Sequence, residues 1–311
     1  MRPYSRVYAT VNLDAVASNM RSMRDNLPAS TLIMGSVKAD GYGHGSVPVA
    51  KTIEPYVFGY AVATIDEGII LRRHGINKTI LILGVTHESR YEDLLRYDIR
   101  TAMFQYEKAK KLSDLALKQG KKAVVHLALD TGMSRIGMKA DREHAKEAAA
   151  IAALEGIEVE GLFTHFARAD ETDKSAYEEQ YRRYKEFLGY LKELGVKIPI
   201  RHCSNSAGIV ESLESNHMDM VRAGIAIYGM YPSDEVDHNS VKLTPAMEIK
   251  SCITYIKEIE AGTAVSYGGT FVADHTMKVA TIPVGYGDGY VRSLSGKGDV
   301  LIHGKRAAIL G

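Results

Sequence analysis

Eight apolar, strand-like runs alternate with segments of helical periodicity up to residue 228, and this alternation constrains the fold more than any other feature. The runs are 32–39, 57–63, 79–84, 100–104, 124–130, 159–167, 200–205 and 220–228. The helical segments are 65–74, 106–119, 142–154 and 175–194, preceded by an amphipathic opening helix at 14–26. Strands joined by such crossovers predict a parallel (β/α)₈ barrel of the TIM type, with a doubly wound open sheet as the alternative.

The rhythm changes after residue 231, where helical periodicity gives way to β alternation with glycine turns. The β runs of this part are 249–259, 262–271, 278–283, 299–302 and 306–310. We therefore predict a barrel domain at 1–231 and a mainly β domain at 232–311. Because the chain stops inside an apparent strand, we expect a form truncated at the C-terminus, with the β domain incomplete.

Composition excludes several classes of function. The formal net charge of the 311 residues is +1, with 25% charged side chains, so nothing favours binding to nucleic acid or to an anionic membrane. No apolar run approaches the roughly 18 residues of a membrane span. The two cysteines, Cys203 and Cys252, lie far apart in apolar surroundings, which indicates reduced thiols, predicts no metal site and favours a cytoplasmic protein.

Lys38 lies where the first apolar run ends, directly before the glycine-rich segment Asp-Gly-Tyr-Gly-His-Gly at 40–45. A lysine amine that is desolvated or close to another cation becomes a nucleophile able to form a Schiff base. The glycines and Tyr42 offer backbone amides and a hydroxyl to a bulky anion such as a phosphate. A lone lysine in this place would more often be a surface residue before a flexible turn, and only the downstream pattern favours chemistry.

Polar residues recur where the later runs end, and in a barrel these ends meet at the face that carries active sites. They are Arg135 after the fifth run, His165 in the sixth, Ser206 after the seventh, and Arg222 and Gly224 in the eighth. Each also has a structural explanation: a surface arginine, a core histidine, a helix-capping serine, a glycine required for close contact. Their repeated position at one face favours a shared site.

Six segments in order closely resemble the alanine racemases, enzymes built on a barrel that binds pyridoxal phosphate. They are Val-Lys-Ala-Asp-Gly-Tyr-Gly-His-Gly at 37–45, Asp-Thr-Gly-Met-Ser-Arg-Ile-Gly at 130–137, Asn-Ser at 205–206, Val-Arg-Ala-Gly-Ile at 221–225, Val-Ser-Tyr-Gly-Gly-Thr-Phe at 265–271 and Gly-Tyr-Gly-Asp-Gly at 285–289. The resemblance covers nearly the whole chain. It implies interconversion of L- and D-alanine, which supplies D-alanine for peptidoglycan.

The resemblance also implies roles for individual residues. Lys38 would hold pyridoxal 5'-phosphate covalently and act as the base on one face of the substrate Cα, and Tyr267, hydrogen-bonded to His165, would be the base on the other. Arg135 would orient that tyrosine and contact the cofactor, so Arg135 and Tyr267 also count as substrate-binding residues. The remaining matches are Arg222, facing the pyridine nitrogen; Tyr42, Ser206, Gly224 and Ile225, contacting the phosphate; and Tyr286 and Arg292, lining the substrate access route.

In this family the tyrosine base reaches the lysine of a second subunit, so a head-to-tail homodimer with two shared sites is implied. The sequence departs from the family pattern at Ala128, where a carbamylated lysine often stands, so Arg135 must be positioned by something else. Segments that contact the substrate carboxylate and the phosphate in the family would follow residue 311.

Two other functions remain open at this point. One is a related racemase that acts on serine or another amino acid. The other is a non-catalytic protein that binds pyridoxal phosphate, which would have no need of a second domain carrying Tyr267. A decarboxylase would be expected to place a carboxylate, and not Arg222, opposite the pyridine nitrogen.

Overall fold

A computed structural model describes residues 6–311. By their contacts these residues divide into two compact units, one formed by residues 12–246 and the other by residues 6–11 together with 247–311. No helix in the described part of the chain is both long and apolar enough to cross a membrane.

The strands of both units follow one another in short segments. In chain order they are β1 (Val7–Val11), β2 (Leu32–Ser36), β3 (Gly59–Val62), β4 (Thr79–Ile82), β5 (Arg100–Met103), β6 (Ala123–Asp130), β7 (Met138–Lys139), β8 (Ile157–Phe163), β9 (Ile200–His202), β10 (Met220–Ala223), β11 (Met247–Ser251), β12 (Tyr255–Ile259), β13 (Ala264–Val265), β14 (Phe271–Val272), β15 (Met277–Thr281), β16 (Asp299–Ile302) and β17 (Lys305–Ala308).

The α-helices all lie in the unit formed by residues 12–246. They are α1 (Leu13–Asp25), α2 (Lys38–Tyr42), α3 (Ser46–Ile53), α4 (Ile65–Arg73), α5 (Tyr91–Tyr97), α6 (Tyr106–Lys118), α7 (Arg142–Ala152), α8 (Ser175–Glu193) and α9 (Ser206–Val210). Three of the helices that the sequence predicted begin at a side chain that accepts a backbone N–H: Asn12 before α1, Thr64 before α4 and Asp141 before α7.

Eight parallel strands of this unit form a closed ring in the order β2, β3, β4, β5, β6, β8, β9, β10, and β10 pairs again with β2. The predicted (β/α)₈ barrel followed by a mainly β domain is therefore confirmed. The doubly wound alternative is wrong, because β5 pairs directly with β6 and leaves no edge in the sheet.

Alternate residues of the barrel strands face two different surroundings. One set packs against the helices in the main core, for example Ile33, Ile80 and Val221. The other set forms small separate clusters, one with Met34, Ala61, Leu81 and Met220 and another with Ala102, Ala128 and Phe163. Buried polar groups accompany the second cluster, among them His202, whose ring lies 5.3 Å from that of Phe163.

The second unit consists of antiparallel pairs: β1 with β11, β12 with β15, β13 with β14 and β16 with β17. The single run predicted at 249–259 is two strands, because β11 and β12 pair with different partners. Likewise, the run predicted at 220–228 is β10 followed by a 3₁₀ turn at Ile225–Tyr228.

The division between the units lies after Ala246, whereas the sequence placed it after residue 231. The intervening segment stays with the barrel because Asn19 accepts the Thr244 N–H at 2.8 Å and donates its own amide to the Thr244 carbonyl at 2.9 Å. The N-terminal strand β1 joins the second unit through its pairing with β11.

Candidate active site

Lys38 begins α2, a single turn in which the backbone is left-handed. The φ/ψ values are 51/48° at Ala39, 49/49° at Asp40 and 62/43° at Gly41, and φ is 53° at Tyr42. These are the angles of a left-handed helix, which cost a residue other than glycine about 1–2 kcal/mol each. Such strain persists only where the surroundings enforce it, and it concentrates at functional sites.

Contacts within the barrel unit hold this turn. The Asp40 carboxylate accepts the Ser46 N–H at 2.7 Å, which ties the turn to the start of α3. The ring of Tyr42 lies 5.0 Å from that of Tyr228, whose hydroxyl donates to the Ser36 carbonyl at 2.9 Å. The Lys38 ammonium lies 5.8 Å from the centre of the Tyr42 ring, so these two side chains share the same end of the barrel.

Three of the predicted phosphate contacts meet beside this turn. The Ser206 hydroxyl accepts the N–H groups of Gly224 at 2.9 Å and Ala226 at 3.3 Å. A Cβ atom added to Gly224 would lie 3.5 Å from both the Ser206 hydroxyl and the Tyr42 hydroxyl. The missing side chain thus leaves a small space bordered by two hydroxyls. Half-buried Ile225 follows directly in the chain.

Arg222 lies in β10 and is only 3% exposed. Its terminal nitrogens donate to the backbone carbonyls of Thr164 (2.6 Å), Cys203 (2.9 Å) and His202 (3.1 Å). Burial lowers the pKa of its guanidinium to about 10, which leaves it charged at neutral pH. Three carbonyl dipoles from two strand ends, those of β8 and β9, therefore hold a buried cation, in the absence of a carboxylate among these partners.

A chain of buried, hydrogen-bonded side chains continues from Arg222 on β10 across β9, β6 and β8. Arg222 lies 2.9 Å from His202 Nδ1, His202 Nε2 lies 2.8 Å from His126 Nδ1, and His126 Nε2 lies 2.9 Å from the Glu160 carboxylate. Arg100 completes the chain, with its Nε 3.5 Å from the same carboxylate oxygen.

The donors in this chain fix the protonation of both imidazoles. Because a guanidinium can only donate, His202 accepts at Nδ1 and donates from Nε2, and His126 in turn donates to Glu160. Burial, followed by the charge of Arg222, lowers the pKa of His202 far below its usual value. Burial likewise lowers the pKa of His126, so both rings are neutral.

His165 lies just after β8, half-buried, with Nδ1 3.2 Å from an Arg222 terminal nitrogen. Burial and the nearby charges of Arg222, Arg135 and Lys38 together lower its pKa to about 3. Its Nδ1 therefore accepts from Arg222, which leaves the proton on Nε2. The structure thus brings three predicted cationic residues around a neutral imidazole.

Arg135 is exposed on the loop between β6 and β7. The Asp130 carboxylate shapes this loop by accepting the N–H groups of Gly132 and Ser134, both at 3.0 Å. A Cβ on Gly137 would lie 2.6 Å from the Asp130 nitrogen, so only glycine lets the loop return this closely to β6. Ala128, at the position of the family's carbamylated lysine, is buried with Ala102 and Phe163.

Tyr267, Tyr286 and Arg292 lie in the second unit. Tyr267 is at the tip of the turn between β13 and β14 and is 76% exposed, and Tyr286 is also largely exposed. The loop carrying Tyr286 is tied to the N-terminal strand, because Arg6 donates to the Pro283 carbonyl and forms an ion pair with Asp288.

Some residues of the site escape prediction from sequence. The carboxamide of Gln180, on α8, accepts the Ala167 N–H at 2.9 Å and donates to the His165 carbonyl at 3.1 Å, and so holds the segment that carries His165. His126, His202 and Glu160 are also missed. A histidine inside each of the predicted runs 124–130 and 200–205 was the signal available for the hydrogen-bonded series beneath Arg222.

Comparison with known proteins finds the same family over both units. The profile of the alanine racemase N-terminal domain matches residues 11–232, and that of the alanine racemase C-terminal domain matches residues 246–311. The chain is 44% identical over 306 residues to an alanine racemase of Desulforamulus reducens, covering 98% of this chain and 82% of that protein. It is 43% identical over 306 residues to an alanine racemase of Clostridium perfringens, covering 98% and 79%.

Solved structures of alanine racemases share the fold. That of Clostridium difficile 630 superposes with a TM-score of 0.92 at 40% identity and covers 100% of this chain and 81% of the other. The Bacillus anthracis enzyme with bound L-Ala-P superposes with a TM-score of 0.89 at 33% identity, covering 100% and 80%. On both the sequence profiles and the relatives, this chain belongs to the alanine racemase family.

Proposed function

We propose that this chain interconverts L- and D-alanine with pyridoxal 5'-phosphate attached to Lys38. One observation carries the proposal: the turn that presents Lys38, the space between Tyr42, Ser206 and Gly224, and buried Arg222 all lie at the carboxyl ends of strands in a single closed barrel. Family membership, with relatives 42–44% identical that are named alanine racemases, supports alanine as the substrate.

The residues present fit this cofactor. The Ser206 and Tyr42 hydroxyls both border the space beside Gly224, and because Ser206 already accepts two backbone N–H groups, its own O–H is left to donate to a phosphate. Lys38 is half-buried near the Tyr42 ring, within the same group of residues. Lys38 would hold the cofactor covalently, and Tyr42, Ser206, Gly224 and Ile225 would hold its phosphate.

When bound, pyridoxal phosphate supplies the electron sink that makes the substrate α-proton acidic. Arg222 would face the ring nitrogen of the cofactor. Because a guanidinium cannot accept a proton, and because carbonyls fix this one, the nitrogen opposite stays unprotonated and the sink stays weak. This favours proton exchange at Cα over decarboxylation or transamination.

Two groups would move the proton, one on each face of Cα: Lys38 and Tyr267. His165 would donate its Nε2 proton to the oxygen of Tyr267, since its Nδ1 already accepts from Arg222. The positive charges of Lys38, Arg135 and Arg222 around this neutral imidazole would stabilise a phenolate there. Arg135 would orient the tyrosine and contact cofactor and substrate.

We further propose a head-to-tail homodimer with shared sites. Tyr267 is 76% exposed at the tip of a turn, so within its own unit nothing covers the side chain that the reaction requires. A second copy would bring its Lys38 to this tyrosine. The proposal also places the protein in the cytoplasm, where it would supply D-alanine for peptidoglycan, and the buried thiol of Cys203 agrees with a reducing compartment.

The proposal is tested by adding pyridoxal phosphate to the purified protein and following deuterium entry at Cα of L-alanine in D₂O. We expect deuterium incorporation and formation of D-alanine. L-serine and other L-amino acids assayed in parallel decide the substrate. If the cofactor binds but no deuterium enters, the non-catalytic binding function replaces the racemase.

The shared site is tested by mixing two inactive variants, Lys38→Ala and Tyr267→Phe, under conditions that allow subunits to exchange. Half of the dimers would be mixed, and each mixed dimer would contain one intact site, so activity should return to about a quarter of wild type. No return of activity, despite mixed dimers detected by mass spectrometry, would contradict the shared site.

A further inference from the structure

We propose that Glu67 is a positioning residue that holds the left-handed turn carrying Lys38. This inference rests on the role proposed for Lys38, but it concerns a residue of α4 that contacts neither the phosphate space nor Arg222. The inference follows from the backbone N–H groups that donate to the Glu67 carboxylate.

Glu67 bridges the ends of two neighbouring barrel strands. Its Oε1 accepts the Ala39 N–H at 2.8 Å, just after β2, and its Oε2 accepts the Ala63 N–H at 2.7 Å, just after β3. The second oxygen is also 3.4 Å from the Thr64 nitrogen, and Thr64 in turn caps α4 by accepting the Glu67 N–H. The helix start therefore fixes the glutamate, and the glutamate fixes the turn.

Ala39 is the residue where this support matters. It directly follows Lys38 and is the first residue of the turn with positive φ, a conformation that alanine disfavours. The peptide whose N–H donates to Glu67 joins Lys38 to Ala39, so the orientation of that peptide sets the direction in which the lysine side chain leaves the barrel.

The chemistry of the contact requires a carboxylate. Both backbone partners are donors, and an ionised carboxylate has an acceptor oxygen for each. Glutamine has nearly the same shape but offers one oxygen and one NH₂ group. In Glu67→Gln, either the Ala39 or the Ala63 N–H must therefore face a donor. We expect the contact of Ala39 to be the one that breaks, because the backbone at Ala39 has positive φ and can relax.

The first measurement is backbone hydrogen exchange in the protein without added cofactor. In Glu67→Gln we expect the Ala39 amide to exchange at least about 10-fold faster, because its acceptor is lost and the strained turn opens locally. The matched control is Asp66→Asn, an acid next to it on α4 whose carboxylate pairs with Arg90. The control should leave Ala39 exchange unchanged.

The second measurement concerns the lysine. Binding of pyridoxal phosphate, followed by the visible absorbance of the lysine-bound form, should weaken at least about 10-fold in Glu67→Gln, whereas 4-deoxypyridoxine phosphate, which lacks the aldehyde, should bind with a much smaller change. Equal weakening of the two compounds would show a general structural defect and would overturn the proposal.

A compensating substitution separates positioning from mere loss of stability. Glycine adopts positive φ without cost, so Ala39→Gly in the Glu67→Gln background should restore most of the lysine-dependent absorbance. Failure of the double variant to recover this absorbance would contradict the proposal. If the wild-type protein shows no lysine-dependent absorbance, the proposed function fails, yet Ala39 exchange still decides whether Glu67 holds the turn.

Discussion

The two units hold their site residues in opposite ways. In the barrel unit Arg222 is 3% exposed and is fixed by three carbonyls, and Lys38 and His165 are half-buried among other groups of the same unit. In the second unit Tyr267 is 76% exposed at the tip of a turn. The residues proposed to hold the cofactor are thus preorganised within one fold, whereas Tyr267 would depend on the proposed partner subunit to define its position.

The difference extends to apolar residues. The barrel interior and its helices bury a large core, but the short β ribbons of the second unit leave side chains such as Ile249, Tyr255, Ile256 and Leu301 more than half exposed. Exposed apolar surface of this kind marks an interaction site. The comparison therefore predicts that changes in the barrel unit act on the cofactor and on stability, and changes in the second unit act on one step of catalysis.

The largest effect is expected at Lys38. Lys38→Ala should abolish the absorbance of the covalently held cofactor and lower racemisation by at least about 10³-fold, because the attachment point and one base are both lost. Absorbance spectra and D-alanine formation measure the two losses. Lys51→Ala, an exposed lysine on α3, is the control. Absorbance that survives in Lys38→Ala would show that the lysine assignment is wrong.

A loss restricted to one direction is expected at Tyr267. Tyr267→Phe should leave cofactor binding intact but reduce α-proton exchange from one alanine enantiomer by about 10²–10⁴-fold, and far more than from the other, because only one face loses its base. Exchange in D₂O, started from each enantiomer, measures this. Tyr255→Phe, also largely exposed in the second unit, should have no effect. Equal losses from both enantiomers would contradict the two-base mechanism.

The next effect is a loss of stability, and it concerns the series of buried hydrogen bonds that joins Arg222, His202, His126 and Glu160. His202→Leu removes the acceptor for an Arg222 N–H and the donor to His126, so the free energy of unfolding should fall by about 2–4 kcal/mol. Urea unfolding followed by circular dichroism measures the change. His217→Leu, at an exposed position, serves as the control. An unchanged stability of His202→Leu would show that the buried chain does not support the barrel.

The smallest effect, counted for each titrating group, is a pH dependence of stability that arises in the barrel unit. The pKa of His165 falls from 6.5 in the unfolded chain to about 3 in the folded one, so between these values only the unfolded chain binds the proton. The free energy of unfolding should therefore decrease as pH falls below 6.5, by about 1.4 kcal/mol per pH unit for each such histidine.

His126 and His202 shift in the same direction and steepen this dependence. Urea unfolding in steps of about one pH unit between pH 8 and pH 5 measures this dependence. His165→Gln should make the free energy of unfolding less dependent on pH. A profile that His165→Gln leaves as steep as before would contradict a neutral His165.

The order of elements follows from the sequence because periodicity and helix caps are local. The eight barrel strands, the helices α1, α4, α6, α7 and α8 and the positions of Lys38, Ser206 and Arg222 at strand ends are readable in this way, whereas the short helices α3 and α5 are not among the predicted segments. The left-handed turn is not, because its angles depend on Glu67 and Tyr228, which are distant in the sequence.

The buried series of hydrogen bonds from Arg222 to Glu160 cannot be predicted from the sequence, for a different reason. The register between β6 and β8 shifts between Val125 and His126, and Glu160 falls in the resulting irregularity, outside the pairs formed by Val159 and Gly161. Such a bulge redirects a side chain, here towards His126. Regular alternation along β8 does not predict this direction of the Glu160 side chain. Gln180 is not predicted either, because in the sequence it is only a polar residue of an amphipathic helix.

Closure of the eight-stranded ring bears on where aggregation of the protein can begin. Every barrel strand has a hydrogen-bonded neighbour on both sides, so the ring offers no template on which another chain can add a strand. Among residues 6–311, which the structure describes, the ribbons of residues 247–311 pair with no third strand, and they carry exposed isoleucine and tyrosine side chains. Aggregation of this protein should therefore begin in the second unit, while the barrel is still folded.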